Sequence, residues 1–189
     1  MALNVIGKIN SRLKFLYRKG DFLTPELRRL LCNALIQPHF DYALSAWYLN
    51  LNKGIKDKLQ IMQNKCIRFC LKKEARYHIG LNEFATINWL PVNHRANQCF
   101  SSNAFKFFNN LSPVYMEQVF SRGDGNRTTR RSFQKLVLPL RKTVQGQRTL
   151  SYVGPCLWNQ LPNEVKSCKT TNSLKHSHLE TLENDVFLC

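Results

Sequence analysis

Acidic residues are what this 189-residue chain most lacks: 12 Asp and Glu stand against 28 Lys and Arg, a formal net charge of +16. Such a surplus sets up a positive field that draws polyanions and speeds their encounter with the surface. Nucleic acid is the first partner class it suggests, an anionic membrane the second and an acidic protein the third. A merely solubilising surface is the bland alternative. Long apolar runs are missing too. No stretch approaches the roughly 20 continuous apolar residues of a membrane span. Lys8, Arg12 and Lys14 break up the first apolar positions, so no signal-peptide pattern forms. No membrane partner is expected. The seven cysteines are odd in number and irregular in spacing. That pattern fits reduced thiols in the nucleus or cytoplasm rather than a disulfide framework.

Patterns that carry chemistry are equally scarce. There is no glycine-rich phosphate loop and no dinucleotide fingerprint. Asp21, Asp41, Asp57, Asp124 and Asp185 are far from one another in the sequence, which speaks against the paired aspartates of two-metal phosphoryl transfer. His39-Phe40-Asp41 has residue types used in catalysis without a nucleophile setting. Cys66 and Cys70, with His78 and Cys99 further on, lack the compact paired spacing of a structural zinc site. They fit the apolar face of a helix, as buried thiols. No catalytic residue, metal ligand or cofactor is expected in this chain.

What is present is helical periodicity, and the fold expected is mainly α. Ile6, Ile9, Leu13 and Leu16 make one stripe over about residues 4–18. Gly20-Asp21 stops that helix, and Thr24-Pro25-Glu26 caps and starts another. Its buried face is expected to be Leu27, Leu30, Leu31, Ala34 and Leu35, with Pro38 at its end. Phe40, Ala43, Leu44 and Trp47 follow as a third apolar set. The longest helix is expected over 53–72, burying Ile55, Leu59, Met62, Cys66, Phe69 and Cys70. Shorter helical stretches are expected over 81–88, 93–109 and from Ser112-Pro113 to Phe120. Beyond Ser121 the pattern changes. A polar linker precedes two extended segments, 136–140 and 149–153, which with the turn Gln145-Gly146-Gln147 suggest a β-hairpin. Gly154-Pro155 starts a short helical piece, and Asn172 or Ser173 caps a final helix. The chain thus divides into 1–50, 51–120 and 121–189.

The basic residues have geometry as well as number. Lys8, Arg12 and Lys19 fall on one flank of the first helix, with Phe15 on the same outward side. Lys58, Lys65 and Lys72 recur every seven residues along the long helix, with Arg68 between them. Rows like these can follow a phosphate backbone, and an adjacent aromatic can stack on a base. Solvated flanks, with Lys stems covering apolar neighbours, are the alternative. The third group is denser: Arg122, Arg127, Arg130, Arg131, Lys135, Arg141, Lys142 and Arg148, against Asp124 alone. Arginine holds phosphate bidentately, and a flexible backbone lets such a segment follow a polynucleotide.

Several stretches in order resemble one family. Lys8 to Arg18 and "LLCNALIQPHFDYALSAWY" (Leu30 to Tyr48) are similar to the region after the palm in non-LTR (LINE-type) retrotransposon reverse transcriptases. "LQIMQNKCIRFCL" (Leu59 to Leu71), "INWLPVNHR" (Ile87 to Arg95), "LPLRKT" and "GQRTLSYVGPCLWNQLP" continue the likeness over nearly the whole chain. The resemblance implies a helical thumb over 1–50 and a helical C-terminal region over 51–120. The basic linker, hairpin and terminal helix over 121–189 would complete it. It implies part of an RNA-directed DNA polymerase whose catalytic Tyr-x-Asp-Asp, companion Asp and Mg²⁺ belong to a palm upstream of Met1. A thumb grips template–primer through phosphates without reading sequence. The implied partners are therefore RNA or DNA and that palm. The alternatives are a helical protein-interaction module derived from such an element, and a decayed fragment without a selected function.

Overall fold

A computed structural model describes residues 2–122 and 135–175. It is mainly helical, and the described residues contain no strand beyond one antiparallel bridge, Arg122 to Leu136. Two compact units are present, Met1–Arg95 and Ala96–Cys189.

In the first unit α1 (Ala2–Arg18) buries Ile9, Leu13 and Leu16 of the stripe expected from periodicity, while Ile6 is half-buried. It packs on α5 (Lys53–Cys70), where Tyr17 meets Phe69 edge-to-face at 4.9 Å. Helix α5 buries Leu59, Met62, Cys66, Phe69 and Cys70 as expected, while Ile55 is half-buried. Asn52 caps its start, its side chain accepting from the Ile55 N–H.

Helix α2 (Pro25–Leu35) overturns its expected face. Thr24 caps it and Pro25 opens it as anticipated. However, Leu27, Leu30 and Leu35 are exposed, Ala34 is exposed, and Leu31 is half-buried. The buried line is Arg28, Cys32 and the following Ile36. The reason lies at the end of α5, whose last carbonyls have no partners within their own helix. Arg28 supplies donors there and nearby: its Nη1 bonds the Phe69 carbonyl at 3.2 Å, Nη2 that of Gly20 at 2.5 Å, and Nε that of Leu23 at 3.2 Å. Its guanidinium also lies 5.1 Å from the Phe69 ring centre. A permanent charge that is only 6% exposed thus has acceptors on three sides and an aromatic face. Turning the leucines inward would expel it.

Two short helices, α3 (Gln37–Asp41) and α4 (Leu44–Trp47), bury Phe40, Leu44 and Trp47. Ala43 between them is exposed, in a left-handed conformation. The stretches that carried the family likeness are tied to one another here. Asp41 pairs with Arg95 through Nε at 3.0 Å and Nη2 at 3.1 Å, and Trp89 Nε1 donates to Asn33 Oδ1 at 2.6 Å. Trp47 Nε1 donates to the Tyr42 carbonyl at 2.8 Å.

Helix α5 ends at Cys70, two residues short of expectation. Lys72 has φ of 52°, and the Lys73 N–H reaches back to the Arg68 carbonyl at 2.9 Å. This is the left-handed close usually made by glycine. Asn88 after α6 (Leu81–Thr86) and Asn110 after α7 (Val92–Phe108) close their helices the same way, Trp89 N–H reaching Phe84 O and Leu111 N–H reaching Lys106 O.

The second unit is built on Phe105, Phe107, Met116, Phe120, Leu136 and Trp158, with Phe108 stacked on Trp158 at 5.1 Å. A 3₁₀ turn, Val114–Gln118, follows Pro113. The expected hairpin does not form. Gln145-Gly146-Gln147 belongs to α8 (Val144–Gln147), and 150–153 open α9 (Leu150–Gln160), which Thr149 precedes as N-cap residue. Helix α9 runs through Gly154-Pro155 instead of starting there. The extended segment at Leu136 bridges to Arg122 instead, and the Asn159 side chain serves the Leu136 backbone groups. Its Oδ1 accepts from Leu136 N–H at 3.0 Å and its Nδ2 donates to Leu136 O at 2.9 Å. Gly154 admits Phe120: a Cβ there would lie 2.6 Å from the Phe120 ring. A short α10 (Asn163–Lys166) follows, and 171–175 are helical. The rest of the expected terminal helix lies outside the described residues.

Candidate nucleic-acid interface

Lys8, Arg12, Phe15 and Lys19 are spaced by four, three and four residues, which keeps them on one flank of a helix. Lys8, Arg12 and Phe15 lie on α1, and Lys19 follows its last residue; all four are exposed, Phe15 by 58%. Arg12 anchors the flank: its Nη1 donates to the Leu35 carbonyl at the end of α2, at 2.6 Å. The row therefore lies toward α3. Tyr17, on the other flank of the buried stripe, makes the contact with α5.

His39 of α3 joins this group, and the sequence reading missed it. The His39 side chain is half-buried, and its Nε2 is buried without a hydrogen-bond partner. Burial holds its pKa below the ordinary histidine value, and the charges of Arg12 and Lys8 lower it further. Asp41, two residues on, is occupied by Arg95 and is not a partner for the imidazole as a catalytic acid would be.

The α5 row is only partly realised. Lys58 and Lys65 are exposed on the helix. Arg68 is half-buried and donates from Nε to the Tyr77 carbonyl at 2.8 Å, tying down the loop after the helix. Lys72 lies beyond the helix end, exposed but off the row. Two cations of this unit rest on rings: Lys56 lies 4.9 Å from the Tyr48 ring centre and Lys73 4.6 Å from that of Tyr77. Tyr77 in turn donates to Glu83 at 3.0 Å. The Gly80 N–H and this hydroxyl hold the Glu83 carboxyl below the usual carboxylate range.

Of the Arg-rich segment, Arg127, Arg130 and Arg131 lie outside the described residues. Arg122 turns to the end of α7: its Nη2 bonds Asn110 Oδ1 at 2.5 Å and the Phe107 carbonyl at 3.3 Å, with the guanidinium 5.4 Å from the Phe107 ring centre. Its role there is to cap a helix. Lys135, Arg141 and Lys142 are exposed, and Arg148 is half-buried.

Cys32, Cys66 and Cys70 are free, buried thiols in the first unit. Cys32 is pushed up by its hydrogen bond to Cys70 and by burial, and burial pushes Cys66 up, which disfavours reactive thiolates at both. Among the described residues no three His, Cys, Asp or Glu side chains gather as a metal site, and no helix is long and apolar enough to cross a membrane. Comparison with family models, with curated proteins and with solved structures returned no match.

Proposed function

We propose that this chain is a nucleic-acid-binding, thumb-like part of a non-LTR reverse transcriptase that grips template–primer phosphates and does no chemistry of its own. The observation that carries the reading is the α1 row. Lys8, Arg12 and Lys19 are exposed on one flank of a helix whose opposite side is locked into a core, with Phe15 exposed between them. A rigid helix presents such cations at fixed spacing, and an exposed ring beside them can stack on a base. The +16 net charge supplies the long-range attraction. Arg141 and Lys142 are the second contact surface.

The test is binding of an RNA–DNA hybrid duplex across a salt series. Affinity is expected to fall steeply with salt, and each phosphate contact removed lowers the slope of log K against log salt by about 0.9. Lys8→Gln with Arg12→Gln is expected to flatten the slope by nearly two such steps. A slope unchanged by that pair would remove α1 from the interface, and no binding at low salt would end the reading.

The exposed apolar face of α2 favours a second role, docking on the palm of the same polymerase. Leu27, Leu30 and Leu35 present apolar surface on one helix. Leu30→Glu is expected to abolish co-purification with a palm fragment while leaving duplex binding intact.

A further inference from the structure

The α1 row has a neighbour of different character. His39 lies one helical turn beyond Leu35, whose carbonyl receives the Arg12 guanidinium, and α1 packs against α3. The imidazole thus shares a corner with two permanent cations. Its buried Nε2 has no hydrogen-bond partner, so the ring is held by packing rather than by an acid.

We propose that His39 completes a phosphate site with Lys8 and Arg12, and that this site takes up a proton from solvent when it fills. The inference rests on the nucleic-acid reading above and adds its regulation by pH. In the free protein two cations repel a third charge on the ring. A phosphodiester seated among them offsets one of those two charges at His39, so the imidazolium is less disfavoured there than in the free protein. By linkage, a ligand that raises a group's proton affinity binds more tightly as that proton becomes available.

The charged surroundings are few. From α1 the facing groups are Lys8 and Arg12. On α2 the charged residues Glu26, Arg28 and Arg29 sit near its start, at the end away from α3, and Arg28 is buried against α5. On α3 itself the remaining charge is Asp41, already paired with Arg95. No carboxylate is left to compensate a protonated His39 from these elements, which leaves the task to the incoming phosphate.

The experiment uses the full chain and a short RNA–DNA hybrid duplex at fixed ionic strength. Affinity is expected to rise severalfold between about pH 8 and about pH 5.5, toward the roughly tenfold limit that one unit of pKa difference between free and bound His39 would set. His39→Gln is expected to hold affinity at its high-pH value throughout. Calorimetry in two buffers of different ionisation enthalpy should show proton uptake by the wild type and none by the variant. NMR titration of the wild-type histidines covers the case in which His39→Gln does not fold. The His39 resonance should titrate at higher pH with duplex present. Salt-sensitive binding whose pH dependence survives His39→Gln, or a His39 titration unmoved by duplex, overturns this inference and leaves the binding reading standing. Absence of binding at low salt overturns both.

Discussion

Helices α1 and α2 read alike as sequences and face opposite ways in the fold. Each carries apolar residues at spacings of three and four, and each is bounded by clear stop or start signals. In α1 that stripe is the core face. In α2 the leucines look outward, and an arginine points in. Periodicity finds a stripe, but it does not say whether the neighbouring element wants that stripe. For α1 the neighbour offers apolar side chains from α5. For α2 it offers the carbonyl at Phe69 and those at Gly20 and Leu23, and one donor-rich side chain reaches all three.

The contrast can be broken most directly at Arg28. Arg28→Ala would leave the Leu23 carbonyl without this donor, take a second donor from the Gly20 and Phe69 carbonyls and open a void beside Phe69, a loss of about 4 kcal/mol in urea unfolding. A loss below about 1 kcal/mol would mean that the guanidinium is solvated and the α2 assignment wrong. Next comes Leu16→Ala on α1, expected to cost about 3 kcal/mol as a buried large-to-small change. Smaller and opposite in sign is Lys72→Gly. Relieving a non-glycine residue at positive φ should add about 1 kcal/mol, read as a higher Tm.

Acid sharpens the comparison at the α1–α3 corner. His39 has a lower pKa folded than unfolded, so the unfolded chain binds its proton first as pH falls. The free protein should keep this contribution above the unfolded histidine value, about 6.5, and lose it as pH falls through the folded value. His39→Gln should lack that sloping loss in chemical denaturation at graded pH. The smallest effect belongs to the outer face of α2. Leu30→Ser is expected to change stability by no more than about 0.5 kcal/mol, against the large cost at Leu16. A loss of 2 kcal/mol or more at Leu30 would show that the leucine face is the buried one after all.

These particulars also mark what could be read from the chain. The helices α1 and α5 were legible because one stripe dominates each, and the starts of α2 and α5 carry side-chain caps at Thr24 and Asn52. The hairpin was misread because Thr149 to Val153 has strand-forming residue types. What decides the outcome is Phe120 over Gly154 and Asn159 beside Leu136, contacts made between residues far apart in sequence. The α1 cations were legible for the same reason as the α1 stripe, since fixing one face fixes the other. His39 was not, because its meaning depends on the Arg12–Leu35 bond. Lys72 and Arg122 counted as phosphate contacts by charge alone, yet one is itself the left-handed residue that closes α5 and the other caps α7. A sum of charges cannot tell a free cation from one already employed.

The ties from Arg28 to Phe69, Asn33 to Trp89 and Asp41 to Arg95 also set a schedule for synthesis. Each joins an early residue to one made much later, so the first four helices leave the ribosome before their partners exist. Until Phe69 has emerged the Arg28 guanidinium lacks one of its acceptors, and until Arg95 has emerged Asp41 lacks its partner. Local helices form quickly, but contacts separated by this much chain must wait for closure. The first unit is thus completed by its last few residues, and its early helices are the segment on which a chaperone would act longest.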